Sequence, residues 1–242
     1  TRVNPIDVKA ILEDHILSGR LVERLLYRDP ATNAIAESWH KMGFYAKQKR
    51  IVLQNCGIID PENIDHFLAR DGYRGLHKAV TELTSEQVIE VVSKSGLRGR
   101  GGAGFPTGHK WATARQAWGT SKYVICNADE GDPGAFMNRS LLEGDPHSML
   151  EGLTIAGYAV GAHQGFVYVR AEYPLAVQRT RLALRQARKL NLLGNNILGS
   201  DFSFDIRLFQ GSGAFVCGEE TALIASLEGQ AGTPHYRPPY PA

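Results

Sequence analysis

The strongest chemical signal in the sequence is a glycine-rich stretch at residues 96–111, GLRGRGGAGFPTGHKW. Glycines let backbone amides approach a ligand closely, and successive amides form a concavity that binds anions. Arg98, Arg100 and Lys110 add positive charge. An ordinary flexible loop is the alternative, but flexible linkers are rich in serine, whereas this stretch carries aromatic residues and a proline. We therefore predict an anion or cofactor site here.

The glycine spacing does not match either common phosphate-binding fingerprint in its proper context. Gly99, Gly101 and Gly104 satisfy GxGxxG, but that fingerprint requires a strand before the loop and a helix after it. Here a predicted helix at residues 85–93 comes first. The phosphate-loop pattern also fails, because His109 follows Gly108 where that pattern has lysine.

A second polar cluster lies in an acidic turn, CNADEGDPGAF, at residues 126–136. It follows a predicted strand at residues 122–127, and ligands of open α/β sheets bind beyond the carboxyl ends of strands. Such side chains accept hydrogen bonds from ribose hydroxyls or ring amides. A divalent metal site is one alternative, although the spacing is not that of an EF-hand, and a solvated turn with helix-capping aspartates is another. The polar residues of the turn are Asn127, Asp129, Glu130 and Asp132.

A second glycine turn, at residues 210–229, follows the last predicted strand and opens a helix. A helix amino terminus favours anions. Glu219 and Glu220 also complement the helix dipole, which explains them equally well without a ligand. Cys217 is predicted to be a small buried packing residue, because no histidine is paired with it.

The remaining patterns predict an α/β fold with a helical amino-terminal extension. Strands are predicted at residues 122–127, 165–171 and 204–210, alternating with helices at 146–162, 174–189 and 218–229. This alternation implies parallel pairing through right-handed crossovers. Earlier helices are predicted at residues 8–17, 20–27, 61–70 and 85–93. We place the extension at residues 1–84 and the α/β domain at residues 85–242.

The composition excludes several classes of protein. The 242 residues carry a formal net charge of +2, which gives no global field for nucleic acid or an anionic membrane. No apolar run approaches the roughly 18 residues that span a bilayer. The three cysteines form no CxxC pair, so we expect neither a disulfide framework nor a metal site in this chain. These features predict a cytoplasmic location.

The motifs together resemble a known family. The glycine stretch, the acidic turn, FVCGEETALIASLEG at residues 215–229 and RPPYPA at residues 237–242 occur in order. This combination resembles the flavin-bearing, NADH-oxidising subunit of respiratory complex I and the diaphorase subunits of NAD-linked hydrogenases and formate dehydrogenases. The lead-in at residues 3–27 and 44–65 is most similar to the hydrogenase and formate dehydrogenase type. The resemblance covers nearly the whole chain and implies a Rossmann-like FMN-binding domain with a parallel sheet and flanking helices.

The resemblance also implies roles for individual residues. Gly99, Arg100, Gly101 and Gly102 would lie between flavin and nicotinamide, and Lys110 beside the FMN phosphate. Asn127, Asp129 and Glu130 would hydrogen-bond the flavin, and Gly218 and Glu219 would close over its ring. The NADH channel would be lined by Phe105, Asp132, Phe215, Glu220, Arg237 and Tyr240.

Several positions depart from the commonest family pattern. His109 replaces a usual leucine, Asp132 a glutamate, Phe215 a tyrosine and Arg237 a lysine. Thr113 stands where an aromatic residue often stacks on adenine, which puts that stacking in doubt.

The resemblance implies direct hydride transfer between NAD(H) and FMN, with no catalytic acid or base, and electron transfer to iron–sulfur clusters of partner subunits. Family members continue past residue 242 with a turn that completes the FMN site and with an iron–sulfur domain. We therefore expect a fragment or truncated subunit, whose cluster would lie only in the missing carboxyl-terminal region. The alternative is a non-catalytic scaffold that docks partners or binds nucleotide without turnover.

Overall fold

The computed structural model describes residues 3–119, 121–211, 214–238 and 240–241. Parts of two motifs, Ser212-Gly213 and the Pro239 and Ala242 positions of RPPYPA, lie outside the described residues. The chain divides into two compact units, Thr1–Ile51 and Val52–Ala242. The boundary predicted between residues 84 and 85 falls inside the larger unit and stays a prediction.

The smaller unit consists of short elements. A 3₁₀ turn (Pro5–Asp7), helix α1 (Val8–Ala10) and a π-helical segment (Ile11–Leu17) follow one another without a break, as the helix prediction for residues 8–17 requires. The helix predicted at residues 20–27 is wrong in extent, because only Glu23–Leu25 is helical, as a 3₁₀ turn. The unit ends with a two-stranded antiparallel ribbon and two short helical turns: β1 (Tyr27–Arg28), β2 (Ile35–Ala36), a 3₁₀ turn (Trp39–Lys41) and α2 (Gly43–Ala46).

A three-stranded parallel sheet forms the centre of the larger unit, with strands β3 (Tyr123–Ala128), β4 (Gln164–Arg170) and β5 (Asp205–Gly211) in that spatial order. Ala128 pairs with Val169, and Arg170 pairs with Gly211. All three strands therefore end at one edge of the sheet, which we call the carboxyl edge.

Helices cover both faces of this sheet. Along β4, Val167 and Val169 face the side on which the two long helices pack, while Tyr168 faces the last helix, so the strand alternates as a buried parallel strand does. The helices of the larger unit are α3 (Ile64–Leu68), α4 (Arg74–Glu82), α5 (Ser85–Lys94), α6 (Thr107–Gln116), α7 (Met137–Gly144), α8 (Pro146–Val160), α9 (Pro174–Lys189) and α10 (Glu220–Leu227).

The main core lies between α8, α9 and the sheet. Fully buried Leu150, Val167, Phe204 and Ile206 belong to it. Gly157 of α8 admits the Phe204 ring, because a Cβ there would lie 2.5 Å from Cε2 of that ring. Each core side chain removed from water contributes roughly 1.5–3 kcal/mol, and this packing fixes the sheet against α8.

The predicted α/β fold with a parallel sheet and flanking helices is confirmed. The three predicted strands and the helices predicted at residues 85–93, 146–162 and 174–189 agree with the structure within two residues at each end. The helix predicted at residues 61–70 is shorter, Ile64–Leu68. Among the described residues, no helix is both long enough and apolar enough to cross a membrane.

Candidate functional site

The glycine-rich stretch forms an exposed loop that connects α5 to α6. Its base is closed by two backbone hydrogen bonds, from Gly99 N to Phe105 O (2.9 Å) and from Thr107 N to Leu97 O (2.9 Å). Gly102 and Gly104 have φ angles of 107° and 60°, which glycine adopts without strain. A helix precedes this loop, as predicted, so it is not the loop of a βαβ fingerprint.

The tip of this loop presents a run of free backbone donors. Among the described residues, no protein acceptor takes a hydrogen bond from the amides of residues 100–104. The Arg98 guanidinium donates to Gly104 O (2.8 Å) and so braces the tip. Consecutive amides held in this way can cradle an anion.

At the start of α10, four charged side chains meet. Lys110 of α6 lies 3.3 Å from Glu220, and Arg237 contacts both Glu220 (2.9 Å) and Glu219 (2.5 Å). These residues are separated by up to 127 positions in sequence, so the fold brings them together. The cluster joins two of the predicted motifs, the glycine stretch and the GEET helix.

Glu219 also caps α10. Its Oε2 accepts hydrogen bonds from Thr221 N (2.9 Å) and Ala222 N (3.1 Å) and from the Thr221 hydroxyl. The hydrogen bonds from Thr221 and Ala222, together with Arg237, outweigh partial burial and lower the pKa of Glu219 to about 2. The amides of Thr221 and Ala222 in the first turn of α10 are therefore already bonded within the protein.

The acidic turn continues directly from β3 at the carboxyl edge. Asn127 donates from Nδ2 to Gly218 O (2.9 Å) and accepts at Oδ1 from Asp129 N (3.1 Å). One side chain thus fixes the turn and ties it to the turn before α10. Asp132 accepts from Gly134 N (3.2 Å) within the same turn, and Gly131 packs against the Phe215 ring.

The Glu130 carboxylate binds the start of helix α7 rather than the turn before α10. Its two carboxylate oxygens accept hydrogen bonds from the first three amides of α7, those of Met137, Asn138 and Arg139, at 2.9–3.1 Å. It therefore performs the helix capping that the sequence left open as an alternative for this turn. The flavin contact that the resemblance implies for Glu130 stays a prediction.

The Asp129 side chain is almost fully buried, at 1% exposure. Burial raises its pKa, the Arg170 guanidinium at 3.5 Å lowers it, and the nearby Glu172 carboxylate raises it. Its Oδ2 has no hydrogen-bond partner among the described residues. A buried acceptor without a partner is costly, and it marks a place where a donor from outside the chain fits.

A cavity of about 330 Å³ adjoins these residues, lined by α6, β3 and α10. Its polar side chains are Lys110, Asn127 and Glu220, and its wall is apolar, including Trp111 and Ile125. A contiguous cavity of about 600 Å³ extends along β3 to Trp118 and Tyr240. Cavities of this size, mostly apolar with a few polar groups, are typical of small-molecule sites.

Another cavity, of about 520 Å³, lies at the opposite end of the sheet, where His163 and Asp205 precede or begin the strands. Ligands of parallel α/β sheets bind beyond the carboxyl ends of strands. We therefore assign the candidate site to the carboxyl edge.

The structure brings most of the predicted site residues to this edge, but some of them have no hydrogen bond or ion pair with the acidic turn among the described residues. No hydrogen bond or ion pair links Gly99, Arg100 or Phe105 to the acidic turn in the described part of the chain. Phe215 and Tyr240 are 74% and 69% exposed.

Sequence reasoning missed Arg170 and Tyr173, which hold the acidic turn from the end of β4. Arg170 pairs with Asp129, and the Tyr173 hydroxyl donates to Glu130 O (2.6 Å). The position of Arg170 as a charged residue near the carboxyl end of an apolar predicted strand is a signal that could have revealed it. No cluster of three potential metal ligands occurs among the described residues, and Cys217 is buried.

The parallel sheet, its carboxyl-edge cavity and the cluster of glycine, amide and acidic groups define an α/β protein with a site for a nucleotide-like cofactor. The family model described as the Nuo51 FMN-binding domain matches residues 92–242. The chain belongs to this family.

Named relatives agree with this assignment. The chain is similar to the NADP-reducing hydrogenase subunit HndC of Solidesulfovibrio fructosivorans, with 59% identity over 81% of this chain and 40% of that protein. It is 46% identical to an NADH-quinone oxidoreductase subunit of Rhizobium meliloti, over 79% of this chain and 46% of that protein. An NADH-quinone oxidoreductase subunit of Escherichia coli is 42% identical, over 75% of this chain and 41% of that protein. The chain thus spans less than half the length of these relatives.

Among solved structures, the chain is similar to a chain of an NAD+-reducing nickel–iron hydrogenase in the air-oxidized state. The TM-score is 0.61 with 30% identity, and the match covers 99% of this chain and 36% of that one. The resemblance inferred from the four motifs is therefore confirmed at the level of the family.

We expect the Glu219 cap to make stability depend on pH in the acid range. Because the pKa of Glu219 is about 2 in the folded protein and 4.5 ordinarily, the unfolded chain binds more protons between these values. The free energy of unfolding therefore falls as the pH drops from 4.5 towards 2. Glu219→Gln should flatten this part of the profile, measured as the urea midpoint at successive pH values.

Glu228→Gln is the matched control, since Glu228 lies at the other end of α10 and forms no ion pair among the described residues. It should retain the wild-type slope. A Glu219→Gln profile parallel to the wild type would show that the cap does not contribute.

Proposed function

We propose that the chain binds FMN at the carboxyl edge and transfers a hydride between NAD(H) and that flavin. Membership of the FMN-binding family supports this proposal. The observation that carries it is the cavity between α6, β3 and α10, which runs along β3 as far as Asn127 near the carboxyl edge and is lined by Lys110 and an apolar wall. A flat, largely apolar ring with a charged phosphate tail requires such a combination.

The residues present fit an FMN group. The free amides of residues 100–104 and the Lys110 ammonium supply donors for a phosphate. Asn127 and the unpaired Oδ2 of Asp129 supply polar contacts for a ring. The amides of Thr221 and Ala222 at the start of α10 are not assigned to the phosphate, because Glu219 accepts their hydrogen bonds.

We assign a role to each residue of the site. The phosphate is bound by Lys110 and the glycine loop, of which Gly99, Arg100, Gly101 and Gly102 also separate flavin from nicotinamide. The flavin ring is contacted by Asn127, Asp129, Glu130, Gly218 and Glu219. NAD(H) is bound by Phe105, Asp132, Phe215, Glu220, Arg237 and Tyr240.

When bound, FMN supplies the redox chemistry, exchanging a hydride with the nicotinamide and releasing electrons singly. The protein's part is to orient the two rings and to exclude water, so no side chain acts as a general acid or base in the transfer. Asp129, buried at 1% side-chain exposure, places a carboxylate near the ring and so disfavours negative charge there.

The whole protein would act within a larger redox assembly. Relatives are named as subunits of a hydrogenase and of NADH-quinone oxidoreductases. We infer that electrons pass to iron–sulfur clusters of partner subunits or of further parts of the protein, and that the assembly works in the cytoplasm. The division into an extension at residues 1–84 and an FMN domain at residues 85–242 belongs to this proposal.

The direct test is anaerobic addition of NADH to the chain saturated with FMN. We expect the visible flavin absorbance to bleach and an equal amount of NAD+ to form, faster than with free FMN at the same concentration. NADPH is tested in parallel, because one relative is named as NADP-reducing. Bound flavin that neither coenzyme reduces would instead support a non-catalytic scaffold.

A second prediction concerns the phosphate. Lys110→Met should weaken FMN binding by about 10- to 100-fold, because a hydrogen bond to a charged group contributes about 1.5–3 kcal/mol. It should change riboflavin binding little, since riboflavin has no phosphate. Quenching of flavin fluorescence measures both dissociation constants.

Lys94→Met provides the control, because Lys94 of α5 pairs only with Glu90 on the same helix in the described part of the chain. It should bind both flavins as the wild type does. Equal losses of FMN and riboflavin binding in Lys110→Met would contradict the assignment of Lys110 to the phosphate.

A further inference from the structure

Arg170 occupies a position that the proposed binding roles do not use. It is the last residue of β4, the central strand, and its side chain is only 11% exposed. One guanidinium nitrogen, Nη1, lies 3.5 Å from Asp129 Oδ1, and the other, Nη2, lies 3.1 Å from Glu172 Oε1. A largely buried cation therefore lies next to Asp129 of the acidic turn.

The two oxygens of Asp129 have different surroundings. Oδ1 faces Arg170, whereas Oδ2 is buried with no hydrogen-bond partner in the part of the chain that the structure describes. Oδ2 lies beside Gly218, where a Cβ would come within 3.5 Å of it. Because Gly218 is tied to Asn127, the free oxygen lies among residues of the candidate site.

The charge of Asp129 depends on this arginine. A buried carboxylate without a counterion is expensive and takes up a proton instead. Glu172 adds a like charge, and no other cation lies within 4 Å of Asp129 among the described residues. Removing Arg170 would leave a protonated carboxyl that donates a hydrogen bond where the carboxylate accepted one.

The acidic turn packs closely against Arg170 at the end of β4. A Cβ on Gly131 would lie 3.1 Å from Arg170 Nη1 and 2.7 Å from the Phe215 ring, so only glycine lets the turn approach. Three residues beyond Arg170, the Tyr173 hydroxyl donates to Glu130 O at 2.6 Å. The end of β4 thus holds the turn at two nearby residues.

We propose that Arg170 is a positioning residue, which holds Asp129 by Oδ1 as a carboxylate so that Oδ2 is left to accept an N–H of the bound flavin. The proposal rests on the proposed function for the identity of the ligand. The pairing of Arg170 with Asp129 itself does not depend on that function.

A double-mutant cycle without ligand tests the pairing. In the wild-type background, Asp129→Asn should lower the urea midpoint of unfolding, because it removes the charge interaction between Asp129 and Arg170. In the Arg170→Met background, the same change should leave the midpoint equal or raise it, because it removes an uncompensated buried carboxyl. Equal effects of Asp129→Asn in both backgrounds would overturn the pairing.

Flavin binding tests the consequence for the ligand. Arg170→Met and Asp129→Asn should each weaken FMN and riboflavin binding at least tenfold, and the double variant should bind no more weakly than the worse single variant. Arg170→Lys, which restores the positive charge, should recover part of the loss. Arg188→Met is the matched control, because Arg188 pairs with Asp205 at the opposite end of the sheet, and it should bind as the wild type.

The unfolding cycle and the flavin-binding measurements distinguish the positioning role of Arg170 from the proposed FMN binding. A wild-type chain that binds no flavin would contradict the proposed function, while the unfolding cycle would still decide the pairing. Flavin binding that is unchanged in a folded Arg170→Met variant, as judged by circular dichroism, would overturn the positioning role and leave the proposed function standing.

Discussion

The parallel pairing of β3, β4 and β5 is the constraint on which the candidate site depends. Because the strands are parallel and in register, the turns after Ala128, Arg170 and Gly211 all leave the sheet at the same edge. The acidic turn therefore meets the turn that precedes α10, and the Asn127 to Gly218 hydrogen bond joins them. Strand pairing and this side-chain hydrogen bond thus bring together residues 91 positions apart in the sequence.

The acidic residues of the site serve structure as well as chemistry. Glu130 and Glu219 cap α7 and α10 through their carboxylates. Among the described residues, the amides of residues 100–104 in the glycine loop have no protein acceptor. Lys110 adds a positive charge to the site.

Much of the fold could be predicted from the sequence, because buried parallel strands and long helices carry strong local patterns. The strands and the helices α5, α8 and α9 have clear apolar runs or caps. In the larger unit three helices were missed, and none of them has a side-chain cap from its own amino-terminal residue. Helix α4 starts after Tyr73 in a left-handed conformation, α6 follows Pro106 without a side-chain cap, and α7 is capped by the remote Glu130.

The sequence also predicted part of the spatial clustering at the candidate site, while the binding roles of its residues stay predictions. Residues of separate sequence motifs lie together in the structure. Lys110 of the glycine stretch, Asn127 of the acidic turn and Glu220 of the second glycine turn all line one cavity. The partner of Asp129 could not be found in the same way, because Arg170 reaches it only through the pairing of β3 with β4. Nor could the sequence decide between capping and binding for Glu130, since that depends on where α7 begins.

The central claim is that FMN binds at the carboxyl edge of the sheet. Mapping backbone amide chemical shifts during FMN titration of the isotopically labelled chain tests it most directly. The account predicts the largest shifts at residues 100–104, 127–132 and 218–219, and small shifts around His163 and Asp205 at the opposite end. Shifts concentrated at that opposite end, or spread without preference over the sheet, would contradict the account.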